Sequence, residues 1–355
     1  MRPLIQFFSK GAPRVILGAF FLCNSCKGDP EQETPAKPDD APVEAVAPAS
    51  PSAPKESEPI ETPAEPVTKE TPPAQPSDPS AETVRFMAYN LKNYLTMDVF
   101  LKGGVKEARP KDPKEVAAII DIIVKQQPQI LGLCEIGTKE DLADLQSRLK
   151  AAGLDLPHSH HAGGMDTTRH LGLLSALPIT ATNSQDHLPF KMNDEEFLMR
   201  RGILDVTIDL PNGPTHFIGL HLKSKRPSNT FDEAELRLNE ARLAKAHCDA
   251  IIEEDPEARI VLYGDMNDTR KTPPLSIMMG RSNSNNYLED AFVKDSRGEL
   301  WTHYWSYQQQ YSRFDFILLS KTIKPEIDWK KSYIADPPNW FEASDHRPVI
   351  VTFGK

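Results

Sequence analysis

Carboxylate, amide and imidazole side chains recur in this sequence at the points where predicted strands end. The apolar run 260–263 predicts a strand, and Gly264-Asp265-Met-Asn267 follows it directly. There the Asp265 carboxylate could orient a water molecule or bind a cation, and the Asn267 amide could donate to a phosphate oxygen. A plain strand-to-loop turn explains the same residues, because Gly, Asp and Asn all favour turns.

Glu135 closes a second apolar run, residues 130–134, which also predicts a buried strand. A carboxylate that follows such a strand needs a cation or hydrogen-bond donors as partners. The more deeply it is buried, the more a divalent cation is favoured as that partner. A solvated strand end is the alternative. Asn90 ends the predicted strand 84–90 in the same way.

Asp345 and His346 give the sharpest signal, because they stand just before the predicted last strand, 349–353. An imidazole beside a carboxylate at such a point is suited to acid–base work or to binding phosphate. Asp315 lies at the start of another predicted strand, where it could orient the imidazole. Exposed surface polarity is the alternative for the pair.

Basic side chains follow or precede two further strands. His221 and Lys223 come after the predicted strand 215–220, and an imidazole close to a lysine suits an anionic substrate. Arg169 precedes the predicted strand 171–174 and is a candidate contact for phosphate. An exposed loop is the alternative interpretation for both segments.

Two other clusters point less clearly to chemistry. His158, His160 and His161 are spaced too tightly for ordinary zinc geometry. The aromatic run 301–307 could form a platform for a base, a sugar or a lipid, but packing beneath a sheet is the interpretation we favour. Cys134 and Cys248 lack paired spacing, and we interpret them as core residues.

The elements that must position these residues alternate between strands and helices at first, and later strands follow one another. Apolar periodicity predicts helices over residues 114–127, 139–152 and 232–254. It predicts strands over residues 84–90, 130–134, 171–174, 203–210, 215–220, 260–263, 314–319 and 349–353. This mixed α/β pattern indicates sheets covered by helices, and loops at one sheet edge can then gather the polar residues around a pocket.

Taken together and in this order, the motifs resemble those of the endonuclease/exonuclease/phosphatase superfamily over residues 84–355. Its members include pancreatic-type deoxyribonuclease, abasic-site endonucleases, bacterial sphingomyelinases and inositol-phosphate 5-phosphatases. The resemblance is carried by Tyr89-Asn90, Cys134-Glu135, His221-Leu-Lys223, Gly264-Asp265-Met-Asn267, Arg313-Phe-Asp315-Phe-Ile and Ser344-Asp345-His346-Arg-Pro-Val. It implies a four-layer α/β sandwich, in which two mixed β-sheets pack face to face with helices outside. It also implies a hydrolase of phosphate esters, above all of phosphodiesters, as in a nuclease.

The resemblance also assigns roles to individual residues. Those expected at a divalent cation are Glu135, Asn90 and Asp345. Those expected at the reacting phosphate and water are Asp265, Asn267, His346, Asp315 and His221. Within the second set, Asp265 is expected to orient or deprotonate the attacking water, and Asp315 to orient His346. Arg169 and Lys223 are further candidates for contact with the substrate.

The expected cofactor is Mg²⁺ or Mn²⁺. A phosphodiester is anionic and repels hydroxide, and a hard cation held by oxygen ligands offsets that charge and polarises the phosphoryl oxygen. Carboxylate and amide ligands suit these two ions better than a thiolate site would.

Charge and composition exclude several other classes of protein. The chain has 355 residues and a formal net charge of −10, which argues against coating nucleic acid through bulk charge. Four cysteines are too few for a disulfide scaffold. No apolar run reaches the ~18 residues of a membrane span, so a polytopic membrane protein is excluded. Residues 84–355 carry only −4 of the net charge and have an ordinary globular composition.

The N-terminal quarter of the chain predicts export and tethering. Residues 1–26 carry a charge of +3 and one short apolar run before Cys26, which resembles a bacterial lipoprotein signal whose cysteine becomes lipidated. The match is imperfect, because Cys23 occupies the position where such signals usually have Leu. Residues 27–83 hold 14 of the 32 prolines and a charge of −9, which predicts a disordered linker.

The predicted location is therefore the cell envelope, with a membrane tether through Cys26, or else the periplasm or the exterior. The predicted partner is a phosphate-ester substrate, which could be a nucleic acid, a phospholipid head group or a sugar phosphate; no protein partner is predicted. A phospholipase C or sphingomyelinase activity and a sugar-phosphate phosphatase are alternatives of the same class. A surface-tethered binding module without turnover is the alternative of another class.

Overall fold

The computed structural model describes residues 83–100 and 106–354. The predicted signal at 1–26 and the predicted linker up to residue 82 lie outside the described residues. Among the described residues, no helix combines the length and the hydropathy that a membrane span requires.

Two six-stranded sheets form the centre of the molecule. The first contains β1 (Val84–Tyr94), β4 (Ile130–Ile136), β5 (His158–Ala162), β6 (His170–Ser175), β17 (Tyr333–Ile334) and β18 (Val349–Phe353), in the order β17-β18-β1-β4-β6-β5. The second contains β7 (Ile179–Thr182), β10 (Leu204–Leu210), β11 (Gly213–His221), β12 (Ile260–Asp265), β13 (Leu288–Asp290) and β16 (Asp315–Ser320), in the order β13-β16-β12-β11-β10-β7. Each sheet contains parallel and antiparallel pairs, so both are mixed.

Helices cover the outer faces of these sheets. The helices are α1 (Pro113–Gln126), α2 (Lys139–Ala151), α3 (Glu233–Glu254), α4 (Pro273–Met279) and α5 (Trp340–Ala343), with two 3₁₀ turns at Lys324–Glu326 and Trp329–Lys331. The three longest begin where the sequence provides caps: Asp112 and Asp232 accept backbone N–H groups, and Thr138 forms a capping box with Asp141.

The buried apolar side chains form three layers, which confirms the predicted four-layer sandwich. The central layer lies between the sheets, where the Phe86 ring of the first sheet packs against Phe217 and Tyr263 of the second, at centroid distances of 5.1 and 4.8 Å. A second layer joins the first sheet to α1 and α2, and a third joins the second sheet to α3 and α4. Burial of these faces is the main stabilising term of such a fold.

Some elements differ from the predicted ones. The segment that begins at His158, where no strand was predicted, is the edge strand β5, whose HSHHA sequence lacks apolar alternation. Three short hairpins were also not predicted. They pair β2 (Met97–Phe100) with β3 (Lys106–Arg109), β8 (Pro189–Met192) with β9 (Glu195–Leu198), and β14 (His303–Trp305) with β15 (Gln310–Ser312). Each hairpin lies outside the two main sheets, so no buried face imposes an apolar pattern on it.

Candidate active site

Strand pairing brings five of the predicted residues to one edge of the two sheets. β1 and β4 run parallel, so Asn90 and Glu135 lie where neighbouring strands reach the same edge. β11 and β12 also run parallel, and their last residues, His221 and Asp265, are paired. The antiparallel β16 begins at Asp315, directly opposite Asp265. Side chains that are far apart in the sequence therefore converge, as expected for the ends of packed strands.

Asn90 joins the polar groups of both sheets. Its Nδ2 donates to Asp265 Oδ2 at 3.0 Å and to Glu135 Oε1 at 3.4 Å, and it lies 3.4 Å from His346 Nε2. Its Oδ1 accepts the backbone N–H of Lys92 at 3.0 Å, which fixes the orientation of the amide. The Asn90 side chain is thus the common neighbour of two carboxylates and one imidazole.

His346 and Asp315 form a buried hydrogen-bonded pair, with Nδ1 and Oδ2 2.8 Å apart. Burial alone would lower the pKa of His346, but the carboxylates of Asp315 and Asp265 outweigh it and raise that pKa to about 10. His346 is therefore a cation at neutral pH. Its Nε2 faces Asp265 Oδ2 at 3.7 Å. Thr302 Oγ1 accepts the backbone N–H of Asp315 at 3.0 Å and so holds the start of β16 in place.

Asp265 is a buried carboxylate whose proton affinity is unusually high. Burial is the largest cause and, with the charges of Asp315 and Glu135, raises the pKa of Asp265 to about 7, against the opposing effect of His346. The backbone N–H of Asn267 donates to Asp265 Oδ1 at 2.9 Å, with Asn267 in the left-handed region at φ 48°. A general base with such a pKa is well matched to work near neutral pH.

The Asn267 side chain is anchored within its own turn. Its Nδ2 donates to Asp265 Oδ2 at 3.2 Å and to the Leu222 carbonyl at 3.0 Å. The structure therefore places Asn267, the predicted phosphate donor, beside Asp265, the predicted base. The hydrogen bonds of the Asn267 amide go to other groups of the protein. Gly264, just before this turn, has φ 133°, and a Cβ there would collide with the Leu220 carbonyl, so the turn requires glycine at this position.

Glu135 occupies a strained position at the end of β4. Its φ is 61°, which is uncommon for a residue with a long side chain. The register of β4 shifts against both of its neighbours at this point. The backbone N–H of Asn93 donates to Glu135 Oε2 at 3.0 Å, and Arg169 Nε lies 3.7 Å from the same oxygen. This backbone conformation turns the carboxylate toward Asn90.

His221 completes the inner part of the site, whereas Lys223 turns away from it. His221 Nε2 lies 3.6 Å from Asp265 Oδ2 and 3.8 Å from Glu135 Oε1. Burial, followed by the charge of Arg201, holds the pKa of His221 well below its usual range, so this imidazole is neutral. Lys223 Nζ donates to carbonyl oxygens of its own loop, including that of Ser224 at 2.8 Å.

Arg169 is brought to the site by an ordered loop. The Asp166 carboxylate accepts the backbone N–H groups of Thr168 and Arg169, at 3.0 and 3.2 Å. Asp166 in turn lies 3.1 Å from Arg201 Nε, and Arg201 is buried. The Arg169 guanidinium therefore lies beside Glu135, and Arg201 is close enough for its charge to lower the pKa of His221. These cations favour an anionic ligand.

Comparison with known proteins agrees with this geometry. Residues 107–345 match the sequence profile of the Endonuclease/Exonuclease/phosphatase family. The chain belongs to this family. Its members are generally hydrolases acting on phosphate esters, and they include nucleases, phosphodiesterases, sphingomyelinases and phosphatases. No curated protein matches the chain significantly in sequence.

Several solved structures share the fold of this chain at low sequence identity. The human Nocturnin catalytic domain with bound sulfate anion is 14% identical, with a TM-score of 0.54 over 77% of this chain and 94% of that one. An endonuclease/exonuclease/phosphatase family protein from Leptotrichia buccalis C-1013-b is 13% identical, with a TM-score of 0.53 over 77% of this chain and 100% of that one. Sphingomyelinase C from Streptomyces griseocarneus is 14% identical, with a TM-score of 0.50 over 77% and 99%.

Members of the family typically use divalent metals, and the donor set at this edge fits such an ion. In the part of the chain that the structure describes, no three His, Cys, Asp or Glu side chains are arranged to hold a metal by themselves. Mg²⁺ is usually held by one or two carboxylates, with waters and substrate phosphate completing its shell. Glu135, with the Asn90 amide beside it, offers such a carboxylate.

Asp345, the third predicted metal ligand, is half-buried one residue before His346. Its negative charge raises the pKa values of His346 and of the buried Tyr89. Its backbone carbonyl accepts the Tyr304 N–H at 2.9 Å. Among the described residues, its carboxylate makes no hydrogen bond to Glu135 or Asn90.

His303 belongs to the site, although the sequence analysis did not identify it. Its ring lies 4.7 Å from the His346 ring and stacks on Phe314 at 5.2 Å. Burial and the neighbouring charge of His346 lower the pKa of His303 to about 4. The sequence does contain this histidine at a strand, but His303 lies inside the aromatic run 301–307, for which packing was the interpretation we favoured. That assignment holds for Trp301, whereas Trp305 and Tyr307 are exposed.

His160 and His161 of β5 do not share a site. His160 Nε2 lies 2.8 Å from Ser184 Oγ, while His161 Nε2 lies 2.8 Å from the Gly137 carbonyl. Neighbouring residues of a strand face opposite sides of the sheet, which separates the two imidazoles.

Proposed function

We propose that this chain is a divalent-metal-dependent phosphodiesterase. The observation that carries the proposal is the cluster around Asn90, in which a carboxylate with a pKa of about 7, Asp265, faces His346, a cation at neutral pH. A base and a cation at this separation suit an attack by water on an anionic ester.

The residues of the cluster divide the work of hydrolysis. Asp265 accepts the proton of the attacking water, because its raised pKa makes it a competent base near neutral pH. His346 directs its Nε2–H at the phosphate and stabilises the negative charge that grows as the fifth oxygen arrives. The P–O bond opposite the attacking water then breaks, and the departing alkoxide takes a proton from solvent water and leaves as the alcohol. Asp315 holds the imidazole in that orientation and keeps it protonated.

Glu135 would hold the cation at the end of its strand, and Asn90 would join it by turning its Oδ1 from the Lys92 N–H toward the ion. When bound, Mg²⁺ or Mn²⁺ offsets the charge of the phosphate and polarises its oxygen. Neutral His221 and the guanidinium of Arg169 border the same space and would contact the remaining phosphate oxygens.

The experiment uses the purified full chain with Mg²⁺ or Mn²⁺. Bis(p-nitrophenyl) phosphate reports diesterase activity, and p-nitrophenyl phosphate reports monoesterase activity. Plasmid DNA, RNA, sphingomyelin vesicles and inositol phosphates are tested in parallel.

We expect diester hydrolysis that EDTA abolishes and that Asp265→Asn lowers by about 10²–10⁴-fold. The matched control is Asp209→Asn, because Asp209 is exposed on β10. Absence of hydrolysis of every ester with either ion would support a binding module instead.

We further propose that the protein is exported and tethered through a lipid on Cys26. The basic start, the short apolar run and the Pro-rich segment that follows support this location. Labelled palmitate should be incorporated into the wild-type chain and not into Cys26→Ala. Incorporation that survives the substitution would contradict the tether, and uncleaved protein in the cytosol would contradict export.

A further inference from the structure

The hairpin of β14 and β15 extends directly from the catalytic cluster. The Tyr304 N–H donates to the Asp345 carbonyl at 2.9 Å, and the His303 ring lies 4.7 Å from that of His346. Alternate residues of a strand face the same side, so Trp305 lies on the face that carries His303. Two residues of strand place Trp305 about 7 Å further out than His303.

The two faces of this hairpin are used differently. On the far face, Tyr304 stacks on Tyr311 at 4.5 Å and packs against Phe341 at 5.7 Å, so folding accounts for these rings. On the near face, Trp305 is 46% exposed. Tyr307, in the turn that follows β14, is 86% exposed, and its ring lies 6.1 Å from that of Trp305. Neither exposed ring is needed to cover the core. Exposed aromatic rings beside a catalytic cluster are typical of a ligand-binding surface.

The polarity of the hairpin tip indicates what kind of ligand suits it. Ser306, Gln308, Gln309 and Gln310 are the neighbours of the two rings in the sequence, and residues 301–312 contain no Lys or Arg. Amide groups are costly to bury in hydrocarbon, and without basic residues the hairpin lacks attraction to anionic lipids. Glutamine amides both donate and accept hydrogen bonds, as the edges of nucleobases require.

We propose that Trp305 and Tyr307 form a platform for the planar base of a nucleotide whose phosphate lies at His346. This inference rests on the proposed diesterase activity and narrows its substrate to phosphodiesters that carry a nucleobase next to the scissile bond. Stacking suits an unpaired base, because the faces of bases within a duplex are already covered. Single-stranded ends or short oligonucleotides are therefore the substrate class.

The kinetic test measures discrimination between substrates with and without a base. The substrates are a dinucleoside monophosphate and two analogues, each with an abasic sugar on one side of the phosphate. The variants of the full chain are Trp305→Ala, Trp305→Phe, which retains a ring, and Trp329→Ala as the matched control. Trp329 is 44% exposed and lies on the separate 3₁₀ turn Trp329–Lys331.

One base–aromatic stack corresponds to a change of about 5- to 150-fold in affinity. The measured preference is the KM of an abasic analogue divided by the KM of the dinucleoside monophosphate. We therefore expect Trp305→Ala to reduce this ratio by about that factor for one of the two analogues. Trp305→Phe should retain most of the preference, and Trp329→Ala all of it. The proposal is overturned if Trp305→Ala leaves the preference intact, or if it impairs only hydrolysis of sphingomyelin vesicles, which would identify a lipid-docking hairpin.

A binding measurement separates this inference from the proposed function. AMP should quench the tryptophan fluorescence of the wild-type chain in a saturable manner, and ribose 5-phosphate should not. The quenching should be lost in Trp305→Phe. Failure to hydrolyse any diester would contradict the activity alone, whereas unchanged quenching in Trp305→Phe would contradict the platform alone.

Discussion

Replacing Asp315 by Asn tests the central pair of the site, because it removes one negative charge and keeps the size of the side chain. The wild-type contact is a buried hydrogen bond of 2.8 Å between the Asp315 carboxylate and the His346 cation. A hydrogen bond to a charged group contributes about 1.5–3 kcal/mol. One pKa unit corresponds to about 1.4 kcal/mol, so the loss is worth roughly 1–2 units.

The pKa of His346, about 10 in the wild type, should therefore fall by at least roughly 1–2 units in Asp315→Asn, because the charge of Asp315, the largest cause that raises it, is lost together with the bond. His346 acts as a cation, so activity is lost as the pH rises through its pKa. The basic limb of the kcat profile should move to lower pH by the same amount. At neutral pH, kcat should still fall by about 10²–10⁴-fold, because the imidazole is no longer held in one orientation.

The assay is the pH dependence of diester hydrolysis by the full chain, with folding checked by circular dichroism. His346→Ala and the double variant complete a double-mutant cycle. The double variant should be little worse than the worse single variant, because residues that act as a unit are not additive. Asp209→Asn, on the exposed side of β10, should leave the profile unchanged. An unmoved basic limb, or losses that multiply in the double variant, would refute the pairing.

Three further predictions concern the metal, the base and the core. Glu135→Gln should lower activity at least roughly 100-fold, and high Mg²⁺ should restore part of it, because a lost ligand weakens metal affinity. Glu140→Gln, at an exposed residue, is the control, and an unchanged metal titration would show that Glu135 is not in the site. The acid limb of the wild-type pH profile should lie near pH 7 at low Mg²⁺, because Asp265 must be deprotonated to act. As Mg²⁺ saturates the protein, this limb should shift to lower pH, since a nearby cation favours the carboxylate; a limb that does not depend on Mg²⁺ would argue against Asp265 and the ion lying in the same site. Phe86→Ala should reduce the free energy of unfolding by about 3–5 kcal/mol in urea titration, because its ring is fully buried between the sheets; a loss below about 1 kcal/mol would show that the layer repacks around the gap.

Much of the fold follows from the sequence, because its apolar runs obey simple periods. The predicted strand 349–353 coincides with β18, and the predicted helix 232–254 coincides with α3 after its cap at Asp232. β5 was missed because an edge strand of serine and histidine has no apolar alternation. The β14–β15 hairpin was missed for a related reason, since its pattern is set by the active site on one face and by α5 on the other.

The types of the catalytic residues also follow from the sequence, because each one stands beside a recognisable strand. Their partners do not, since hydrogen bonds depend on distances that only packing sets. Asn90 was expected near the metal, yet the structure gives it contacts with Asp265, Glu135 and His346 together. Arg169 and Lys223 were equal candidates, and packing turns only the guanidinium of Arg169 toward Glu135.

The sequence by itself determined the family, the positions of the main apolar strands along the chain and the chemical groups that stand at their ends. These are local properties, set by the side chains of a few consecutive residues and by their period. The tertiary structure alone decided the protonation of those groups: it makes His346 a cation, His221 neutral and Asp265 a base near neutral pH. The physical reason is that a pKa depends on burial and on charges within a few ångströms, and these neighbours come from strands far apart in the chain.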